Sequence, residues 1–547
     1  MAYLADVLFP ARKAMAELRA RWAKPGDKDG WRDSDYFDLV RDREASSSID
    51  DKTWVDLEYP KIFASMDSTV TPVGSQVLYR RMREYSGDAA TLAANYAVCA
   101  ELRSNAALRE TLQRRLLPLK DESNNRIVDF VFGKLPPAPR HQALLWSWSL
   151  ASAAVLGGVV WWAWPAWIWV AMLFVNAFLI FRACADSLRD AETLTQCLLL
   201  VKVADDLAAL HEAHRSLPQL AGLHGEASNR RAVRKALRWL ARLKRPESAF
   251  VFVWLNFAFL LELLAHGRAM RRFAVLRHKL AASFELVGEI DAMIAMASWL
   301  AYRPDHCHPS FSDCAMLDIE DGGHPLLEAG VRNSIRLEQR SALVTGSNMA
   351  GKTTFIKMVG VNVLLGQTLG FCLAARATIP HAPVMASIQA GHSVASGKSH
   401  YFSEVETIRS FFARQADQRR AIFVIDELFT GTNTTERVAV ARAVLESLGE
   451  GSIVLATTHD VELQALLDER YDLYHFQESP DVDGFFDYRL RAGPASERNA
   501  IRLLGELGFP ARIVAKAMRY AREELAGEKR GADVPRRGVR TKPVGSA

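Results

Sequence analysis

Residues 341 to 354 read Ser-Ala-Leu-Val-Thr-Gly-Ser-Asn-Met-Ala-Gly-Lys-Thr-Thr, and few folds can house such a stretch. Ala342, Leu343 and Val344 form a short apolar run that predicts a buried strand. The run leads into Gly346-x-x-x-x-Gly351-Lys352-Thr353 and then, from Phe355, into a helical pattern. Strand, glycine loop and helix in that order make a phosphate-binding loop. Its backbone N–H groups point inward, and the helix N-terminus adds partial positive charge. The expected nucleotide contacts run along Gly346, Ser347, Asn348, Met349, Ala350, Gly351, Lys352, Thr353 and Thr354. Lys352 is placed to reach the β- and γ-phosphates, and Thr353 to offer its hydroxyl to Mg²⁺. ATP and Mg²⁺ are therefore the expected cofactors.

Two more apolar runs supply the rest of such a site. Ala421 to Ile425 ends in Asp426-Glu427. Asp426 is the expected second metal contact, and Glu427 the expected general base, aimed at water beside the γ-phosphate. Ser452 to Ala456 ends in Thr457-Thr458-His459-Asp460. A histidine at the carboxyl end of a parallel strand lies where ligands bind, so His459 is expected to sense the γ-phosphate. Between these runs, Ser396-Gly397-Lys398-Ser399 is a small-residue turn opening a helix. Its N-terminus suits a phosphate, but the phosphates of its own subunit are already cradled. In ATPases of the ABC architecture such a helix caps the γ-phosphate of the other subunit. Ser399 is thus expected to act in trans in a homodimer, with Gly431-Thr432-Asn433 at the same seam. Alternation of strand and helix from about Cys314 predicts a parallel sheet.

The first half of the chain reads as helical. Thr71-Pro72 predicts a helix start, and Lys134 to Arg140, with three prolines, a break. From Ala143 to Phe181 no residue is charged, a run of 39 positions where one bilayer crossing needs about 20. Tryptophans at 161, 162, 164, 167 and 169 surround Pro165, and Trp146 and Trp148 lie near the other end. This predicts a transmembrane hairpin with spans at about 143–162 and 166–182. Arg140, Arg182 and Arg189 place both ends in the cytoplasm, hence an inner (plasma) membrane location with the ATPase half in the cytoplasm. The amphipathic, charged stretch from Met1 to Arg21 lacks the pattern of a signal peptide. Six scattered cysteines without a C-x-x-C pair fit a reducing compartment, and His306-Cys307-His308 with Cys314 matches no common zinc spacing. Ala249 to Leu261 is apolar but short, which predicts a buried helix. Arg230, Arg234, Arg238 and Arg242 recur every fourth residue within a basic run ending at Arg245. That stripe suits phosphates of nucleic acid, an anionic lipid surface, or a solvated helix face. The net charge of +5 does not choose among them.

The motifs together resemble the MutS family of DNA mismatch-repair ATPases. Residues 346–354 resemble its GPNMxGKST, 426–433 its DEIxRGTST, 395–402 its ASGRSTFM and 457–463 its ATHYHEL. Tyr488 to Ala517 is similar to its closing helix-turn-helix. Residues 67–75 resemble the opening of its helical core, and Glu289 to Ala295 the end of its lever helices. The chain departs from the family in several ways, the membrane hairpin among them. Ser347 and Ala350 replace proline and glycine. Fewer than fifty residues precede the core, where the mismatch-reading domain needs about a hundred. Phe-x-Glu, the family's wedge, occurs only as Phe402-Ser-Glu404 and Phe476-Gln-Glu478. No nuclease domain is expected after the helix-turn-helix.

The resemblance implies an α/β ABC-type P-loop ATPase domain joined to an all-α core and lever, with the hairpin inserted. The expected organisation is an N-terminal segment (1–47), a first helical part (48–140), the membrane hairpin (141–183), lever and core helices (184–300), the ATPase domain with helix-turn-helix (301–525) and a basic disordered tail (526–547). The implied activity is ATP hydrolysis by a membrane-anchored homodimer that clamps DNA. The alternative is a membrane-tethered ATP switch acting on a protein or lipid partner without DNA.

Overall fold

The computed structural model describes residues 10–26, 33–41, 48–136, 142–243, 249–388, 400–417, 420–429, 433–478, 486–494 and 508–520. It is a mixed α/β structure in which helices predominate. The helix Ala281–Tyr302 is buried on every side from Ile290 to Leu300, as befits the centre of a helical core. The helix Pro72–Arg83 packs along it. Thr71 caps that helix by accepting from the Gly74 amide, with Pro72 at the first helical position as its sequence predicts.

Two motifs about 220 residues apart meet here. The buried Asp291 carboxylate accepts from the amides of Val70 and Thr71 at 2.9 and 2.8 Å, and from the Thr71 hydroxyl at 2.7 Å. Gly74 lies so close that a Cβ there would stand 2.3 Å from Asp291 Oδ2, so only glycine fits. Residues 35–40 of the N-terminal segment belong to the same core, since Tyr36 and Phe37 are buried and Tyr36 donates to Glu285 at 2.5 Å.

The uncharged stretch forms the helix Gln142–Trp162, a turn at Ala163 to Pro165, and the start of the helix Ala166–Ala208. Among the described residues, only Gln142–Trp162 is long and apolar enough to cross a membrane, and the apolar part of the second helix, Ala166–Arg182, is 17 residues. The second helix continues past the expected boundary at 183. No glycine or proline interrupts 183–208, so one 43-residue helix runs from the apolar region into the helical core. The expected burial of Ala249 to Leu261 is corrected. The helix Ala249–Phe259 leans on the two apolar helices, yet Trp254 is 66% exposed and Phe257 41%.

The second half carries two sheets. β1 (Ser310–Ser312), β5 (Arg376–Pro380), β2 (Met316–Gly322) and β3 (Asn333–Glu338) lie side by side in that order. The larger sheet has the order β10 (Phe486–Ala492), β9 (Tyr471–Glu478), β4 (Ser341–Thr345), β8 (Ile453–Thr457), β7 (Ile422–Asp426) and β6 (Val384–Ser387). All its neighbours are parallel except β9 with β10. β4, β7 and β8 read as continuous apolar runs because both faces are covered. The helical half covers the β6 edge. The Ala386 amide donates to Thr53 Oγ1 at 2.9 Å and the Ile388 amide to Asp56 Oδ2 at 2.8 Å. Backbone donors that would otherwise form an open sheet edge are thereby satisfied.

Candidate nucleotide site at the carboxyl ends of β4, β7 and β8

β8 lies between β4 and β7, with Val344 and Asp426 both in register with Thr457. Three separate sequence motifs therefore end at one level of one sheet edge. The loop after β4 turns through Gly346 (φ 133°), where a Cβ would stand 2.6 Å from the Phe476 carbonyl oxygen. Asn348–Ala350 makes a tight turn, and Gly351 leads into the helix Lys352–Leu369. The Ser347 Oγ is buried and has no hydrogen-bond partner among the described residues, a polar atom placed to meet a ligand. The backbone places Asn348 in this loop, and Met349 stands exposed at its rim.

Lys352 is buried, and its ammonium donates to the Gly346 carbonyl at 2.6 Å. It lies 3.2 Å from His459 Nε2 and 3.9 Å from Glu427 Oε1. Burial lowers its pKa to about 8, against the opposing pull of Glu427 and Asp426. Glu427 sits at a backbone φ of 50° just past β7, and its Oε1 is 2.5 Å from His459 Nε2. That bond, more than any other cause, holds the Glu427 carboxyl below the usual carboxylate range.

Thr353 Oγ1 donates to Asp426 Oδ2 at 2.8 Å, and the Thr457 hydroxyl donates to the other Asp426 oxygen. A hydroxyl and a carboxylate side by side are the hard oxygen donors that Mg²⁺ takes while keeping several waters, so the residues fit that ion. Lys352, Thr353, Asp426, Glu427 and His459, all named from sequence, converge. Ser399 and Gly431-Thr432 lie outside the described residues, as do 495–507 of the helix-turn-helix and the tail from 521. Asn433 caps the helix Thr434–Leu448 by accepting from the Glu436 amide.

Beside the loop is a cavity of about 340 Å³ lined by His324, Met349, Phe355, Met358, Phe476 and Tyr488. Burial lowers the pKa of His324 to about 4, so its imidazole is neutral. Its Nδ1 accepts from the Leu326 amide, leaving Nε2 as the donor, and that buried atom has no partner among the described residues. Asn333 fixes the far wall by donating to the Tyr488 carbonyl at 3.0 Å and accepting from the Leu490 amide at 2.8 Å. A flat heterocycle with ring acceptors suits such a wall.

Sequence reasoning did not single out His324 or Asn333, and it named Phe476 only in a Phe-x-Glu match and Tyr488 only at the start of the helix-turn-helix stretch, neither as part of a cavity. The Gly322-Gly323-His324-Pro325 turn was the one available signal; the Tyr488 position depends on a β-bulge between Phe486 and Leu490. It also passed over Arg437, whose guanidinium grips both Asp460 oxygens, at 2.8 and 2.5 Å, and ties the helix Thr434–Leu448 to the histidine turn. Glu404, on the helix His400–Asp417, accepts from the Phe429 amide just past Glu427.

The arginine stripe is corrected in part. Arg230 is buried, donating to Asp205 Oδ1 at 2.7 Å and to the Leu223 carbonyl at 2.6 Å. Arg234 pairs with the other Asp205 oxygen and remains half-exposed. Arg238 is exposed, and the Arg242 side chain lies outside the described residues.

Residues 342–525 match the family MutS domain V. The chain is 31% identical to the DNA mismatch repair protein MutS of Thermus aquaticus over 271 residues, which are 48% of this chain and 32% of that protein. It is 30% identical to DNA mismatch repair protein MutS of Aquifex pyrophilus over 256 residues, covering 45% of this chain and 30% of the relative. To DNA mismatch repair protein MutS 2 of Halobacterium salinarum it is 30% identical over 258 residues, 45% of this chain and 29% of the other. The matched region thus spans about a third of the length of these relatives.

Proposed function

We propose that this chain, which belongs to the MutS family, is an ATPase that works as a membrane-anchored homodimer and uses ATP to close on DNA. The observation that carries the ATPase reading is the meeting of Lys352, Thr353, Asp426, Glu427 and His459 at one sheet edge. The Lys352 ammonium neutralises β- and γ-phosphate charge. Thr353 and Asp426 would hold Mg²⁺, which when bound supplies charge neutralisation on the phosphates. Glu427 takes the proton of the attacking water, and His459 orients that carboxylate through the 2.5 Å contact. The apolar cavity at His324 and Tyr488 takes the base, with His324 Nε2 donating to a ring nitrogen. Ser399 of one subunit completes the site of the other, so that hydrolysis reopens the dimer.

The membrane reading rests on the exposed apolar surface of Gln142–Trp162 and Ala166–Arg182, with Trp161, Trp162 and Phe181 each more than 70% exposed. In this reading the helical half, docked on β6 through Thr53 and Asp56, carries the closing motion toward the DNA grip. Neither Phe-x-Glu is free to act as a wedge, because Glu404 serves the Phe429 amide and Phe476 lines the base cavity. Direct mismatch reading is therefore not part of the proposal.

A specific observation favours the second reading, a membrane-tethered ATP switch acting on a protein or lipid: Arg230 and Arg234 are both engaged by Asp205. A salt titration of DNA binding on the detergent-solubilised full chain separates the two. DNA clamping predicts a log–log slope of several, about 0.9 per phosphate neutralised. Absence of ATP-dependent DNA retention at low salt supports the second reading.

A further inference from the structure

We infer that the helix Ala249–Phe259 and the start of Leu261–Leu276 form a re-entrant element that lies in the bilayer beside the proposed hairpin, its open face covered by lipid acyl chains. The inference rests on the membrane reading above and extends it from two helices to a three-part membrane module.

The carrying observation is where the helix Ala249–Phe259 ends. Its last carbonyls accept hydrogen bonds from a polar cluster contributed by both apolar helices. Ser149 Oγ donates to the Phe259 carbonyl at 2.7 Å and Ser152 Oγ to the Ala258 carbonyl at 2.8 Å. Asn176 Nδ2 donates to the carbonyls of Phe257 and Ala258, both at 2.9 Å. Trp148 Nε1 in turn donates to Asn176 Oδ1 at 2.7 Å and fixes the amide's orientation.

Ser149 and Ser152 lie about 10 and 15 Å along the helix that begins at Gln142, and Asn176 an equal way along its partner. The carbonyls being capped therefore sit at mid-length of the apolar pair. Orphan carbonyls at a helix end are ordinarily left to water. Where hydrocarbon surrounds them they need partners inside the protein, and broken helices in membranes are tolerated only on that condition. Here the condition is met.

The chain then turns at Leu260 (φ 52°) and heads back toward the charged end of the module. Gln142 Nε2 meets the Leu264 carbonyl at 3.5 Å, and the Arg268 guanidinium lies 5.3 Å over the Trp146 ring. Arg271 and Arg272 follow, both exposed, at the level where anionic headgroups would meet them. No charge occurs from Ala249 to Leu261. Glu262, the first acid after the break, takes a hydrogen bond from Asn256 Nδ2 while its amide donates to Asn256 Oδ1. The outer face is strongly apolar, with Trp254 66% exposed. Acyl chains are the occupant that matches: the outward groups of the helix are apolar, the polar groups at this depth are turned inward with Glu262 held by Asn256, and the next charge is Arg268.

Spin labels distinguish this inference from the membrane reading beneath it. Trp254→Cys, Phe174→Cys and Val440→Cys are each made in the full chain carrying Cys184→Ser, Cys307→Ser and Cys314→Ser. Each is labelled and reconstituted in vesicles of phosphatidylethanolamine and phosphatidylglycerol. Oxygen and a water-soluble nickel chelate then compete as relaxing agents. Oxygen should dominate at 254 and 174, and the chelate at 440. Oxygen dominance at 174 with chelate dominance at 254 overturns the re-entrant element and leaves the hairpin standing. Chelate dominance at 174 overturns both. Shielding of 254 from both agents places protein, such as a second copy, where lipid is proposed and overturns the assignment of its occupant.

Discussion

With its pKa lowered to about 8, the buried Lys352 ammonium loses its proton in a pH range where most lysines keep theirs. ATP binds the charged form, so affinity should be flat below about pH 8 and fall by at most about tenfold per unit above it. Glu427→Gln removes the anion that most opposes this loss. It should therefore move the onset to lower pH, which nucleotide titrations from pH 6.5 to 9.5 would register. A pH-independent affinity would remove Lys352 from the phosphates. The same variant should bind ATP yet lose turnover by about a hundredfold or more, since an amide takes no proton. Lys352→Ala should weaken binding itself. These roles were legible because strand, loop and helix must follow one another locally. The base cavity was not: Asn333 and Tyr488 are 155 residues apart and meet only through a bulged strand. Arg230 was misjudged for a related reason. A four-residue repeat fixes a helix face but does not say that Asp205 of another helix lies against it.

Among the elements, the helix Thr434–Leu448 and the histidine turn move as one while the Arg437–Asp460 pair is intact. Arg437→Asp should release His459 from its place beside Glu427 and lower kcat by about tenfold or more with little change in nucleotide affinity. Adding Asp460→Arg should restore much of the rate, which stopped-flow hydrolysis with a binding control would read. Failure of the swap to rescue would make the pair merely structural. At the proposed membrane module, Asn176→Leu strands the Phe257 carbonyl, leaves that of Ala258 to Ser152 alone, and should destabilise the helix Ala249–Phe259 by about 1–3 kcal/mol. Faster proteolysis between 244 and 260 in vesicles would show it. Strand positions were readable because β4, β7 and β8 are buried on both faces. The length of Ala166–Ala208 was not, because composition changes at 182 while helix propensity does not.

Across the whole molecule, one apolar core runs through both halves, with Trp299 5.7 Å from Phe371, and polar contacts add to it. Thr53 and Asp56 hold the β6 edge, and Glu58 meets Lys357 on the helix that begins at Lys352. In the proposed cycle, nucleotide-driven movement of that helix would pass through these contacts into the helical half, where Asp291 holds residues 70 and 71. The motifs at 67–75 and 289–295 were visible in sequence as separate patterns, and the fold explains why both exist. In the proposed dimer, two chains share each site. Lys352→Ala and Ser399→Ala chains should each be inactive alone. A mixed dimer has one site with both lesions and one with neither. Turnover should return on mixing, up to about half the parental rate per mixed dimer if the sites act independently. Mixed dimers that demonstrably form and hydrolyse no ATP would contradict it.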